Sequence, residues 1–268
     1  MSYVQKELID LLLGVKDEND KINNYLNSYS IKEINEQKKE MENAQIFTKI
    51  IDTNANKAII IEELNKLNVS NLIEVANNLK KLALKTTTEV DDFINQIINK
   101  IIKETDQNKS LVGSLCFELQ TLCFIIKDNK YIFKNLLLDR IKRQYVEIMN
   151  FKSDDYNEDH GKRIMSVISV LYQSKIISDN VFIEIINDYK NQISFTESMT
   201  ESDYTIVEKA MNQLCYFLTL LKFTPELLII TDNIDTYLTQ QLKIYNDKKC
   251  ISKKVRFICE NTIEHIKK

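Results

Sequence analysis

The sequence predicts an all-α protein, and three observations carry that prediction. Apolar residues recur three and four positions apart through most of the chain, the period of an amphipathic helix. Three glycines and one proline in 268 residues are too few for the turns that a sandwich or barrel requires. The chain is 44% apolar and 28% charged with a net charge of −3, a composition that can bury a core and that excludes the disordered class.

Ten segments follow the helical period: 58–67, 70–85, 88–105, 109–126, 131–149, 161–174, 178–192, 203–221, 232–245 and 252–266. Polar cap residues open several of them, namely Ser70, Thr88, Ser178, Asp203 and Asp232. Pro225 falls in the break after the eighth segment, where a helix cannot run through it. Short links force neighbouring helices to pack antiparallel, so ten helices make five pairs. A repeat of about 40 residues points to a HEAT-type solenoid, with a compact helical bundle as the alternative. Residues 1–57 read differently, as three shorter segments (3–13, 21–29 and 31–48) with little apolar content after Leu13. They are expected to form an appended helical and partly flexible arm, with the main domain spanning 58–268. The 38 isoleucines and 27 asparagines are scattered within the helical pattern, as AT-rich codon usage would leave them, and form no low-complexity tract.

Several chemistries lack their residues. Gly14, Gly113 and Gly161 are too far apart to cradle a phosphate, so no nucleotide cofactor is implied. The five cysteines, Cys116, Cys123, Cys215, Cys250 and Cys259, are odd in number and mostly embedded in apolar runs, which predicts buried thiols. His160 and His265 show no ligand spacing, so no metal site is expected. The acid pairs Asp91-Asp92, Asp154-Asp155 and Glu158-Asp159 read as solvated surface, since adjacent helical residues point in different directions. No nucleophile has a base patterned to orient it, and the sequence predicts no enzyme. Without an 18-residue apolar run or a secretory leader pattern, no membrane association is expected, and a cytoplasmic location is.

Four stretches resemble a known family. Leu64-Asn65-Lys66-Leu67 with the following Asn68 to Leu72, Phe133 to Arg140, Lys162 to Met165 continuing through Leu171 to Ser178, and Ser252 to Ile258 are similar, in order and spacing, to the middle domain of eukaryotic translation initiation factor 4G. That domain is built of five HEAT pairs, and the resemblance covers most of residues 59–268. The chain departs from the family pattern where a glycine is replaced by Ser166 or Val167. It also departs in a shortened acidic stretch at 151–160 and in longer segments at 194–202 and 223–231.

The resemblance implies a translation-initiation scaffold that binds and stimulates a DEAD-box RNA helicase of the initiation factor 4A type. The helicase contacts it implies are Asn65, Lys66, Leu67, Lys175, Ile176, Ile177, Arg256 and Phe257. For weak, sequence-tolerant contact with mRNA, the basic residues Lys134, Arg140, Lys142 and Arg143, then Lys162 and Arg163, then Lys253 and Lys254 are the candidates. Residues 243–268 hold eight cations against three acids. Tyr3, followed by Leu8 and Ile9 on one helical face, fits the pattern by which relatives of the family dock on a cap-binding protein of the initiation factor 4E type. The same helix reads equally as a cap over the first helix pair, with Leu8, Leu11 and Leu12 buried. The alternative function is a middle-domain adaptor for a helicase of mRNA decay, splicing or nuclear cap-binding complexes.

Overall fold

The computed structural model describes residues 46–268, which form eleven helices and one two-stranded hairpin. In chain order they are α1 (Ile46–Lys66), α2 (Leu72–Lys80), α3 (Thr87–Lys103), α4 (Asp106–Leu119), β1 (Cys123–Ile126), β2 (Asn129–Ile132), α5 (Phe133–Ile148), α6 (Glu158–Gln173), α7 (Asp179–Ile193), α8 (Glu201–Thr219), α9 (Pro225–Ile230), α10 (Ile234–Lys248) and α11 (Lys253–Ile266). The protein is mostly helical, as the apolar period predicts. No helix among the described residues is long and apolar enough to cross a membrane. The described residues divide into two compact units, 46–100 with 118–139, and 101–117 with 140–268.

In the first unit α1 packs on α2. Helix α3 opens with a reciprocal cap at Thr86, two residues before the predicted Thr88. The Thr86 amide donates to the Glu89 carboxylate at 2.9 Å, and the Glu89 amide donates to the Thr86 hydroxyl at 3.2 Å. Asn56 of α1 donates to the same carboxylate at 2.8 Å, tying α1 to the start of α3. Phe93, fully buried, sits edge-on to Phe124 and Phe133 with ring centres 5.9 and 5.8 Å away.

Phe124 belongs to a hairpin where the sequence predicts the ends of two helices, 109–126 and 131–149. Residues 123–126 pair antiparallel with 129–132, Ile126 opposite Asn129, so two residues make the turn. Both turn residues, Lys127 and Asp128, have positive φ (49° and 67°), the geometry that matches strand twist. Phe124 and Ile126 face inward, while Cys123 and Ile125 face out. A run such as Cys-Phe-Ile-Ile fits both periods, and a turn without glycine leaves no signal to arbitrate.

In the second unit α8 is the hub, packed on α6, α7 and α11, and α10 packs on α11. Every residue of α6 from Ile164 to Tyr172 is buried, so this stretch of the helix is enclosed around its whole circumference. Gly161 permits the close approach of α6 and α8, since a Cβ there would lie 2.4 Å from the Gln213 amide nitrogen. Ring stacking of Tyr172 on Phe182, centres 4.0 Å apart, joins α6 to α7.

The caps refine the sequence reading. Ser178 is the N-cap of α7 as expected, although its side chain makes no capping bond. Asp203 instead sits at the third position of α8, where it completes a capping box with Thr200. Asn71, not Ser70, precedes α2, and Asn233, in the left-handed region, precedes α10 in place of Asp232. Pro225 does not merely end a helix. It opens the short α9 at its first position, where its missing N–H costs nothing, and Thr224 caps it by accepting from the Leu227 amide at 3.2 Å.

Candidate interaction site

The predicted contacts fall into three sets with different surroundings. At the end of α1, Lys66 pairs with Glu62 at 2.6 Å and with Glu63 at 3.3 Å. The hydrogen bonds that its ammonium donates to these two carboxylates raise its pKa above the ordinary lysine value. Asn65 accepts from Lys100 of α3 at 3.2 Å. The link that follows closes on itself: the Asn68 amide donates to Asn71, whose side chain donates back to the Lys66 carbonyl at 2.8 Å. Leu67 is half-buried.

The second set is corrected by the structure. Ile176 and Ile177 are 1% and 3% exposed and belong to the core, so their side chains offer no contact surface. The reason lies in the end of α6. Lys175 adopts φ 62°, its amide donates to Tyr172 O at 2.9 Å, and the Ile176 amide donates to Leu171 O at 2.9 Å. This pair of bonds is a Schellman motif, which turns the residue after the left-handed position back onto the helix it has just left. Glycine usually marks that position, and here a lysine holds it. Lys175 itself stays exposed, its ammonium 5.7 Å from the centre of the Tyr172 ring.

The third set, on α11, is the most exposed. Ser252 caps the helix by accepting from the Val255 amide at 3.4 Å, and its own amide donates to Glu208 of α8. The first turn carries Lys253 and Lys254 and no acid, although the positive end of a helix disfavours cations there. Arg256 bonds Glu260 one turn on at 2.8 Å. Phe257 is 63% exposed, while Val255 and Cys259 of the same helix are buried.

The structure also joins basic residues far apart in sequence. Lys162 of α6 and Lys254 of α11 line one mostly apolar groove of about 280 Å³, with Tyr216 of α8 between the two helices. The Lys162 ammonium lies 6.0 Å from the Tyr216 ring centre and 2.6 Å from Glu158, which offsets part of its charge. Arg163 is exposed beside it. On α5 the predicted basic set is uneven. Arg143 is exposed, Lys134 and Arg140 are half-buried, and Lys142 is only 9% exposed, too enclosed to neutralise a phosphate. Arg140, Lys142 and Arg143 are each already engaged by other groups. Tyr3, Leu8 and Ile9 lie outside the described residues.

Thiol chemistry is confined to the interior in part. Cys116 is fully buried, and burial pushes its pKa up to about 12. Cys215 of α8 and Cys259 of α11 share a hydrogen bond at 3.5 Å, which with burial holds the Cys259 thiol protonated. Cys123 departs from the predicted burial because it occupies the outward face of β1, and Cys250 is half-buried. Sequence reasoning missed Tyr216 as a groove residue, since its neighbours come from helices more than 35 residues away on either side. It also missed Ile229, 74% exposed on α9, a short helix within the stretch that the sequence reads as a break after its eighth segment. The chain matches no protein-family model, and no curated protein matches it.

Proposed function

We propose that this chain is a non-catalytic adaptor of the initiation factor 4G middle-domain kind, a HEAT-type arrangement acting in the cytoplasm on a DEAD-box helicase of the initiation factor 4A type. The observation that carries the reading is the exposure of Phe257 beside three cations, Lys253, Lys254 and Arg256, at the start of α11. A lone exposed apolar side chain is ordinary on a protein surface. A phenyl ring flanked by cations, two of which oppose the polarity of their own helix, is the composition of a contact centre. Such a surface needs no chemistry of its own. An adaptor that binds the closed form of a helicase better than the open form lowers the cost of closure, and turnover rises by that difference in affinity.

The groove lined by Lys162, Tyr216 and Lys254 suits a weak contact with the RNA that such a helicase handles. Lys254, Lys162 with its charge partly offset by Glu158, and one aromatic face contact a nucleic-acid strand without reading sequence, so this contact weakens with salt. Tyr3, Leu8 and Ile9 are proposed as the contact with a cap-binding protein.

Titration of the full chain into a fluorescently labelled 4A-type helicase tests the reading. Phe257→Ala is expected to weaken binding by about tenfold or more, the loss typical of a central aromatic anchor. Equal affinity of the variant and the natural chain would remove α11 from the interface.

A further inference from the structure

Strand β1 carries apolar residues on both of its faces, which a strand with one face in water does not need. Phe124 and Ile126 turn inward, while Cys123 and Ile125 turn out, Ile125 at 66% exposure. The register sets Cys123 opposite Ile132 and Ile125 opposite Lys130, and opposed residues share one face of a sheet. The outer face of the hairpin is therefore Cys123, Ile125, Lys130 and Ile132, all of them exposed.

The edge of β1 is open as well. The Phe133 amide donates to Leu122 O at 2.8 Å, and bonded pairs alternate along an antiparallel ladder. Leu122, Phe124 and Ile126 thus exchange backbone bonds with the residues opposite them, and the amides and carbonyls of Cys123 and Ile125 point away from β2. Among the described residues no further strand lies on that side, and these groups have no backbone partner. Proteins commonly guard such an edge with a lysine, a proline or a bulge. Strand β2 has Lys130 and runs directly into α5, whereas Cys123 to Ile126 contains neither lysine nor proline and pairs without a bulge.

Charge selects the occupant. The hairpin and the first turn of α5 hold three cations, Lys127, Lys130 and Lys134, and one acid, Asp128. Lys127 follows β1 directly, Lys130 stands opposite Ile125, and both are exposed. We propose that the β1 edge is a docking site for an extended acidic segment of a partner protein, which adds to the hairpin as a third strand. Its backbone takes up the outward amides and carbonyls of Cys123 and Ile125, its alternate apolar side chains cover the outer face, and its carboxylates meet Lys127 and Lys130. A second copy of this chain is the poorer occupant, because pairing two β1 edges brings two sets of these lysines onto one sheet. The surface owes nothing to the helicase reading and stands if that reading fails.

Selection of a random dodecapeptide display library on the full chain, followed by amide hydrogen exchange with each recovered peptide bound, tests the proposal. The recovered peptides are expected to alternate apolar residues, to carry acids and to slow exchange at the Cys123 and Ile125 amides about tenfold or more. Ile125→Pro removes one outward amide at an edge position, where proline is tolerated, and should weaken the peptides about tenfold, while Ile125→Thr keeps the amide and should cost less. Lys130→Glu disturbs no backbone bond and should weaken them about threefold or more, an effect that shrinks at high salt. Recovery of no peptide, peptides that are basic or leave the two amides unprotected, or equal binding by the natural chain, Ile125→Pro and Lys130→Glu overturns the proposal. It is also overturned if Lys130→Glu abolishes sedimentation with phosphatidylserine vesicles in the absence of peptide binding, which would assign the face to a membrane, or if Ile125→Pro dissolves a dimer, which would assign it to a second copy.

Discussion

The last turn of α1 and the first turn of α11 are both polar, both exposed and both implied contacts, yet they use their residues in opposite ways. At the end of α1 every charged or amide side chain closes on a local partner. Lys66 has two carboxylates, Asn65 has Lys100, and Asn68 and Asn71 tie the following link to the Lys66 carbonyl. At the start of α11 the cations sit against the helix polarity and a phenylalanine faces outward. Residues that complete their own helix need nothing else to explain them. Residues that cost their helix stability point to a partner outside it.

Substitution separates the two cases, and the core provides the scale. Ile176→Ala, in the turn after α6, should destabilise the protein by about 2–5 kcal/mol, the range for emptying a buried aliphatic site. Urea unfolding measures it, and a loss near zero would return Ile176 to the surface. Phe257→Ala should leave the unfolding midpoint unchanged while weakening the helicase about tenfold. The double reversal Lys253→Glu with Lys254→Glu should push in two directions at once. It should raise stability by about 0.3–1 kcal/mol per residue, because acids suit a helix N-terminus, and it should weaken RNA binding and flatten its salt dependence. A melting curve and a salt titration read both, and a fall in stability would break the account of α11 as a helix strained by its function. Lys66→Ala should change neither the melting midpoint nor helicase binding measurably, since an exposed pair with Glu62 contributes little.

A pH series sharpens the same contrast from the side of α3. Burial pulls the Glu89 carboxyl up, but hydrogen bonds from the Lys85 amide, Asn56 and Thr86 outweigh it and hold its pKa below the ordinary glutamate value. The contribution of Glu89 is therefore fully present above the unfolded pKa and is lost as pH falls through the folded one. Urea midpoints from pH 7 to pH 3 should decline less steeply in Glu89→Gln than in the natural chain, and identical slopes would contradict the tie between α1 and α3.

Much of the helical content was legible because the apolar period is local. Residues 161–174 and 178–192 lie within a few positions of α6 and α7 for that reason. The hairpin escaped because Lys127 and Asp128 adopt a turn conformation usually announced by glycine. Ile176 and Ile177 were misplaced for the same cause, a left-handed lysine at position 175 doing a glycine's work. Helix α9 escaped because a proline ends one helix and begins another with equal ease. Phe257 was legible only through family resemblance, as its helical period alone does not say which apolar residue faces outward. The cavity lined by Ser166 and Lys222 was not legible at all. Ser110, Ser166, Lys222 and His265 meet only in the fold, and the unpaired state of the Ser166 hydroxyl is a property of packing that no spacing encodes.

The most direct test of the α11 surface is the RNA-stimulated ATPase rate of a purified 4A-type helicase, measured alone, with the natural chain and with Phe257→Ala. The account predicts that the natural chain raises the rate and that the variant, equally folded, leaves the helicase at its own rate. A rise of the same size with the variant, or no rise with the natural chain, would contradict it.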